Sequence, residues 1–140
     1  IDRRLTYGED YKAELERIQR IIGDRDDITA EILIYDTPSY TGFVFPLEKY
    51  YPAWLLPEDD PYVQAGVQAG AALWGEPLPT GKWDFSTNGC FWMGKAGIPS
   101  IGFGPGDEIY AHSVLDQVPL DDVVRATEWY ALLPAFLPKK

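Results

Sequence analysis

Proline placement constrains this chain more than any other feature. Pro38, Pro46, Pro52 and Pro57 all fall within residues 37–57. Each removes a backbone donor and fixes φ, so neither a helix nor a central strand runs through the stretch. Regular structure must be built on either side of it, and a crossing between domains is expected within it. Upstream, Thr6 and Glu9 have the T-x-x-E spacing of a capping box. Tyr11, Leu15, Ile18 and Ile22 then recur at helical spacing, and Gly23 is placed to stop the helix with positive φ. After a charged turn at Asp24–Asp27, residues 29–35 alternate as a strand, with Ile32 and Ile34 on one face and Leu33 and Tyr35 on the other.

Downstream, Asp60-Pro61 is a helix start, since proline at the first helical position loses no needed bond. Val63, Val67, Ala71 and Trp74 are its expected buried face, and Gly75 its stop. Gly66 and Gly70 each cost about 1 kcal/mol against alanine but let another element approach closely. After a Pro/Gly loop at 76–82, a short strand is expected from Trp83 into the polar turn ending at Gly89. A short helix follows over Cys90–Ala96, then a buried strand over Ile98–Phe103 and a flexible loop over Gly104–Glu108. Asp121 is expected to cap a last helix running to Leu133. Val123, Val124, Thr127, Tyr130 and Ala131 form its expected inner face, and Pro134 its end. Helix and strand alternate throughout, which is an α/β pattern with a helix-covered sheet.

Composition narrows the function. Of the 140 residues, 46% are hydrophobic and 14% aromatic, too apolar for a disordered chain. The net charge of −10 disfavours phosphate backbones and anionic membrane surfaces, so neither nucleic acid nor membrane is an expected partner. No apolar run reaches signal-peptide or membrane-span length. The start at Ile1, without Met, reads as a cut, and the expected location is cytoplasmic. A single Cys excludes an internal disulfide framework. A self-contained zinc enzyme usually needs three or more protein ligands, and a single His with no second Cys excludes a zinc-finger pattern.

In an open α/β sheet, ligands sit beyond the carboxyl ends of strands. Two loops satisfy that rule, Ser86–Gly89 and Gly104–His112. In the first, Thr87 and Asn88 offer hydrogen bonds and the following helix a positive N-terminus. Ordinary turn chemistry is the other reading of both loops. His112 is the one side chain that titrates near neutrality unperturbed. Asp107, Glu108 and Asp116 lie close enough in sequence to orient it, or are solvated loop charges. Cys90 with His112 as a thiol nucleophile and base is the weakest case, because Cys-Phe-Trp-Met is an apolar stretch in which cysteine acts as a small hydrophobe. Of Arg3 and Arg4, either one reaches an anionic ligand while the other is solvated, since strand neighbours point to opposite faces, or both are solvated.

Taken together, Phe85-Ser86-Thr87-Asn88-Gly89, Met93-Gly94, Gly97-Ile98-Pro99, Ile101 through Gly106 and Ala111-His112-Ser113 resemble the C-terminal part of the zinc peptidase and deacylase family. That family includes aminoacylase, acetylornithine deacetylase, succinyl-diaminopimelate desuccinylase and glutamate carboxypeptidase, and the likeness is closest to its selenium-metabolism-linked hydrolases. Asp2-Arg3-Arg4 with Gly8-Glu9 resembles the opening of the family's lid, or dimerisation, domain. The resemblance implies the C-terminal half of a catalytic domain with a helix-covered mixed sheet over residues 45–140, and a remnant of an α/β lid over residues 1–44. It implies two zinc ions, or cobalt or manganese in their place, that activate a bridging water to hydrolyse a peptide or an N-acyl amino acid. His112 matches the last metal ligand and Arg4 the lid arginine that meets a substrate carboxylate. Thr87 and Asn88 match the polar turn of the substrate pocket, and Gly104 and Gly106 the glycine loop beside the substrate.

The chain departs from the family in two respects. Ser113-Val114-Leu115-Asp116 follows His112 where many members have Thr and then Asn-Glu. The upstream His-x-Asp motif, the Glu-Glu pair, the next carboxylate ligand and the lid histidine have no match here, and the general-base Glu is expected upstream. The isolated 140 residues are therefore expected to be catalytically inactive and not to hold the zinc pair fully. The implied partners are the parent's small substrate, a second copy through the lid, or whatever covers the exposed half-domain face. The other class of function is a non-catalytic interaction or dimerisation module.

Overall fold

The first helix starts later than the T-x-x-E spacing predicts. In a computed structural model, which describes residues 2–83 and 85–139, α1 spans Tyr11–Ile22 and Asp10 is its N-cap, accepting from the Ala13 amide at 2.8 Å. Only the Glu9 half of the capping box forms, with its carboxylate accepting from the Thr6 amide at 2.6 Å. Glu9 thus closes a turn ahead of the helix, and the aspartate one residue on reaches the first-turn amides. The Arg3 guanidinium braces this turn with contacts to Glu9 at 2.8 Å and Glu14 at 3.0 Å. The Thr6 amide first, and Arg3 beside it, hold the Glu9 carboxyl below the usual glutamate value. Gly23 ends α1 at φ 62°, as its position requires. Tyr11, Leu15, Ile18 and Ile22 are half-buried on one face. Tyr11 stacks on Tyr50 with centroids 3.9 Å apart and donates its hydroxyl to Glu48 at 3.0 Å.

The strand expected over 29–35 contracts to β1, Ile34–Tyr35, paired antiparallel with β2, Leu47–Glu48. The register sets Tyr35 opposite Leu47. The next pair would meet Pro46, which has no N–H to give, so the ladder stops. The other end is extended by the Lys49 amide donating to the Leu33 carbonyl at 2.8 Å. The helix third in chain order, α3, Gly89–Trp92, follows the Thr87-Asn88 turn. It is shorter than the Cys90–Ala96 span expected, and Gly97 after it takes φ 67°. Trp54 packs flat over Gly89, where any Cβ would overlap the indole ring. These elements, up to Leu55 and over Ser86–Ala96, form one unit.

The other unit comprises Leu56–Phe85 and the chain from Gly97. Its first helix, α2, spans Pro61–Trp74 between Asp60, which accepts from the Tyr62 amide at 2.8 Å, and Gly75 in the left-handed region at φ 80°. Its last helix, α4, spans Leu120–Leu132 and ends before Pro134. The N-cap of α4 is Pro119, while Asp121 and Asp122 lie in the first turn, where negative charge suits the helix dipole. The two helices pack together, with Ala65, Gly66, Ala69 and Gly70 the buried residues of α2 and Ala126 and Trp129 those of α4; Trp129 lies against Gly66, and Leu78 against Gly70. Trp129 is 2% exposed and donates its indole N–H to the Gly66 carbonyl at 2.9 Å. Its ring stacks on Phe103 at 4.6 Å, and Tyr130 bonds the Phe103 carbonyl.

This packing corrects the expected inner faces. Val63, Val67, Ala71 and Trp74 are half-buried rather than buried. On α4, Val123, Val124, Thr127, Tyr130 and Ala131 are exposed. In each helix the buried stripe lies roughly a third of a turn from the expected one. The interface selects small residues that admit an indole ring, rather than the bulkiest apolar ones.

Residues 98–103 join no ladder, because none of the described residues supplies a neighbouring strand; the one described ladder is β1 with β2. The strand expected from Trp83 includes Asp84, outside the described residues; Trp83 and Phe85 stack with centroids 6.0 Å apart. Among the described residues the architecture is mixed, four α-helices with a small antiparallel sheet, consistent with an α/β chain. No described helix is long and apolar enough to cross a membrane.

Candidate functional site

The second unit contains an open cavity of about 240 Å³. It is lined by the aromatic pair Trp83 and Phe85, by the Gly104-Pro105-Gly106 loop with Asp107 and Glu108, and by Ala111, Asp116, Gln117 and Val118. Two of the expected site residues, Gly104 and Gly106, therefore line a single cavity. The space beside Gly104 is open, since a Cβ there would meet nothing within 4 Å. Gly106 takes φ 82°, a left-handed conformation that favours glycine, and a Cβ there would lie 3.2 Å from Val118.

A run of tight turns carries the chain from this loop past His112. The Asp107 carboxylate accepts from the Ile109 amide at 3.0 Å and starts a 3₁₀ turn over Glu108–Tyr110. The Ser113 hydroxyl donates to the Tyr110 carbonyl at 2.7 Å and accepts from the Leu115 amide at 3.1 Å. His112 is pinned between these turns at φ 60°, the one described non-glycine residue with positive φ. A side chain in that region costs roughly 1–2 kcal/mol. Such strain is found where the surrounding structure holds a residue for a purpose. The imidazole is exposed. Asp107 is occupied as a turn cap, so of the three nearby carboxylates Glu108 and Asp116 are left facing solvent and cavity.

Arg4, Thr87 and Asn88 belong to the other unit. Thr87 Oγ1 accepts from the Gly89 amide at 3.2 Å, and the Asn88 carbonyl accepts from the Phe91 and Trp92 amides. The Asn88 side chain makes no capping bond. The four residues of α3 are too few for an appreciable helix dipole. Of the two arginines, Arg3 carries the ion pairs to Glu9 and Glu14, and Arg4 is exposed. Cys90 is half-buried, as the apolar context predicts. Among the described residues, no group of three or more His, Cys, Asp or Glu side chains is placed to hold a metal ion. Trp83 and Val118 are cavity residues that sequence reasoning missed. The i, i+2 spacing of Trp83 and Phe85 was the available signal, since residues two apart share a face wherever a sequence is extended.

No family model matches the chain. The uncharacterized protein YgeY of Escherichia coli K12 is 41% identical over 135 residues, which are 96% of this chain and 34% of YgeY. YgeY of Escherichia coli O157:H7 gives the same figures. A protein of Halalkalibacterium halodurans, named N-formyl-4-amino-5-aminomethyl-2-methylpyrimidine deformylase, is 33% identical over 88 residues, 63% of this chain and 20% of that protein. The chain thus spans 34% or less of the length of these curated relatives. No solved structure matches.

Proposed function

We propose that this chain is the C-terminal part of an amidohydrolase that cleaves a formyl or acyl group from an amine. The observation that carries the reading is the similarity to a protein named as a deformylase, whose chemistry is addition of water across a C–N amide bond. It gains support from the cavity over Gly104 and Gly106 and from His112, held in strain directly after the cavity residue Ala111. The finer assignment is to the zinc peptidase and deacylase family, through the motifs from Phe85 to Ser113. In that assignment residues 1–44 belong to the lid and 45–140 to the catalytic domain. Arg4 meets a substrate carboxylate, Thr87 and Asn88 bind the acyl-amine portion, and the glycine loop lets backbone approach the scissile group.

The described residues do not by themselves fit a metal centre, since no three donors converge. His112 would be a single donor in a set completed from outside these 140 residues, and no catalytic step here is routed through a metal. The chain's own contribution is binding and positioning. The aromatic pair and the glycine loop line one side of the substrate, and the turns around His112 fix its backbone.

The test is a chimera of YgeY in which the matched stretch is replaced by this chain. It is assayed for amine release from N-formyl amines, N-acyl amino acids and dipeptides. Release from at least one class supports the reading. A chimera that unfolds cooperatively yet releases amine from none of them contradicts it. The isolated 140 residues are expected to release none.

A further inference from the structure

The polar turn at Thr87-Asn88 has one side-chain lock of its own, the Gly89 amide donating to Thr87 Oγ1 at 3.2 Å. That bond leaves the Thr87 hydroxyl proton for another group, and with it the Asn88 carboxamide, which makes no capping bond. The four residues of α3 are too few to hold such a turn by themselves, because a helix nucleus is unfavourable. Residues 50–54 supply the hold.

Burial alternates along that segment. Tyr50 and Trp54 are half-buried and Pro52 is buried, while Tyr51, Ala53 and Leu55 are exposed. This is the period of extended backbone. Yet the segment joins no described ladder, and Pro52 has no N–H to give one. Side chains hold it instead. The three inward residues meet α3 and the residues after it in reverse order. Trp54 covers Gly89 and Pro52 covers Gly94; a Cβ would overlap the indole at the first and the proline ring at the second. The Lys95 ammonium lies over the Tyr50 ring, 5.6 Å from its centroid, a cation–π contact. Tyr50 is in turn stacked on Tyr11 of α1 at 3.9 Å. A proline and rigid aromatic rings give up little side-chain freedom when they order. All of these residues lie in one compact unit.

We propose that Trp54 is a positioning residue for the Thr87-Asn88 turn, seated by Pro52 and Tyr50. The indole fixes Gly89, and the Gly89 N–H fixes Thr87 Oγ1. Together they set where the Thr87 hydroxyl and the Asn88 carboxamide meet the acyl-amine portion of a substrate. The inference rests on the proposed function for the role of Thr87 and Asn88, and adds residues that act through them. Contacts made equally in the bound substrate and the transition state change KM and leave kcat alone, so the signature of this role is KM.

The kinetic test uses the YgeY chimera and whichever N-formyl or N-acyl amine it cleaves. Trp54→Ala is expected to raise KM about tenfold, the size of one misaligned hydrogen bond, with kcat held within about twofold. Trp54→Phe restores a flat ring over Gly89 and should return KM to near that of the parent. In a Thr87→Val, Asn88→Ala background, Trp54→Ala should raise KM little further, because it acts through the groups already removed. In the isolated chain, exchange of the Gly89 amide proton should quicken about tenfold or more in Trp54→Ala and not in Trp54→Phe. If Trp54→Ala does not fold, Trp54→Leu carries the same measurements. A merely structural tryptophan would lower the unfolding midpoint and leave KM unchanged. That result, a full additive rise of KM in the double background, or unchanged Gly89 exchange would each overturn the proposal. A chimera that cleaves no substrate at all contradicts the proposed function instead, and Gly89 exchange then decides alone whether Trp54 sets the turn.

Discussion

Replacing Trp129 with alanine removes the side chain on which the α2–α4 pair is built. The indole is 2% exposed, lies on Phe103 and bonds the Gly66 carbonyl at 2.9 Å. Removing a buried tryptophan costs about 3–5 kcal/mol through lost transfer energy and the cavity left behind. The backbone-directed hydrogen bond accounts for about 1 kcal/mol of that range. A higher helix propensity of alanine returns only a few tenths. Against a typical total of about 5–15 kcal/mol, this is a large fraction. For a unit of this size each kcal/mol moves the midpoint by about 4–8 °C, so a fall of at least about 12 °C is expected. The assay is urea and thermal unfolding followed by far-ultraviolet circular dichroism, because the substitution removes a fluorophore. Val124→Ala on the exposed side of the same helix is the control, with an expected change within about 0.5 kcal/mol. Trp129→Phe should keep the stack and lose the bond, giving an intermediate loss. If Trp129→Ala costs under about 1 kcal/mol, or no more than the control, the packing described between α2 and α4 is wrong.

Three further outcomes follow from particular contacts. Gly89→Ala would drive a Cβ into the rigid Trp54 ring, so a loss of about 1–3 kcal/mol is expected in urea unfolding, whereas a neutral or stabilising result would remove Trp54 from that position. Glu9 has a folded pKa below its unfolded one, so its contribution is complete above the usual glutamate value and is lost as the pH falls through the folded value. Carboxyl chemical shifts should show that depressed titration, and Glu9→Gln should flatten the acid-side change in α1 amide shifts; a titration at the ordinary value would refute the contact with the Thr6 amide. His112→Gly relieves a left-handed histidine, and after the entropic cost of glycine a net gain of up to about 1 kcal/mol is expected. A loss of more than 1 kcal/mol would show instead that the imidazole holds the fold.

The helices were legible because their punctuation is local. Asp60-Pro61, Gly23, Gly75 and Pro134 act through their own backbone, and each stands where the structure begins or ends a helix. The buried faces were not legible, because periodicity reports where apolar residues recur and not which stripe meets which neighbour. Gly66 and Gly70 were the useful signal, since a close approach at small residues is what admits Trp129 at the first and Leu78 at the second. Residues 29–35 have the alternation of sheet residues, and residues 98–103 read as a buried strand. Alternation does not supply a partner, and Pro46 cuts the one ladder that forms. At the candidate site, the cavity over Gly104 and Gly106 follows the glycine spacing, while the positive φ of His112 arises from the turns on either side and has no signature in composition.

The proposed hydrolysis is tested most directly by one comparison in the YgeY chimera, amine release before and after His112→Ala, each measured with the metal chelated and then restored. If His112 supplies a donor to the reaction centre, release depends on metal and falls by about 100-fold or more in the variant, with the unfolding midpoint preserved. Release within a few-fold of the parent, or release indifferent to chelation, would contradict the assignment of His112 and the amidohydrolase family with it.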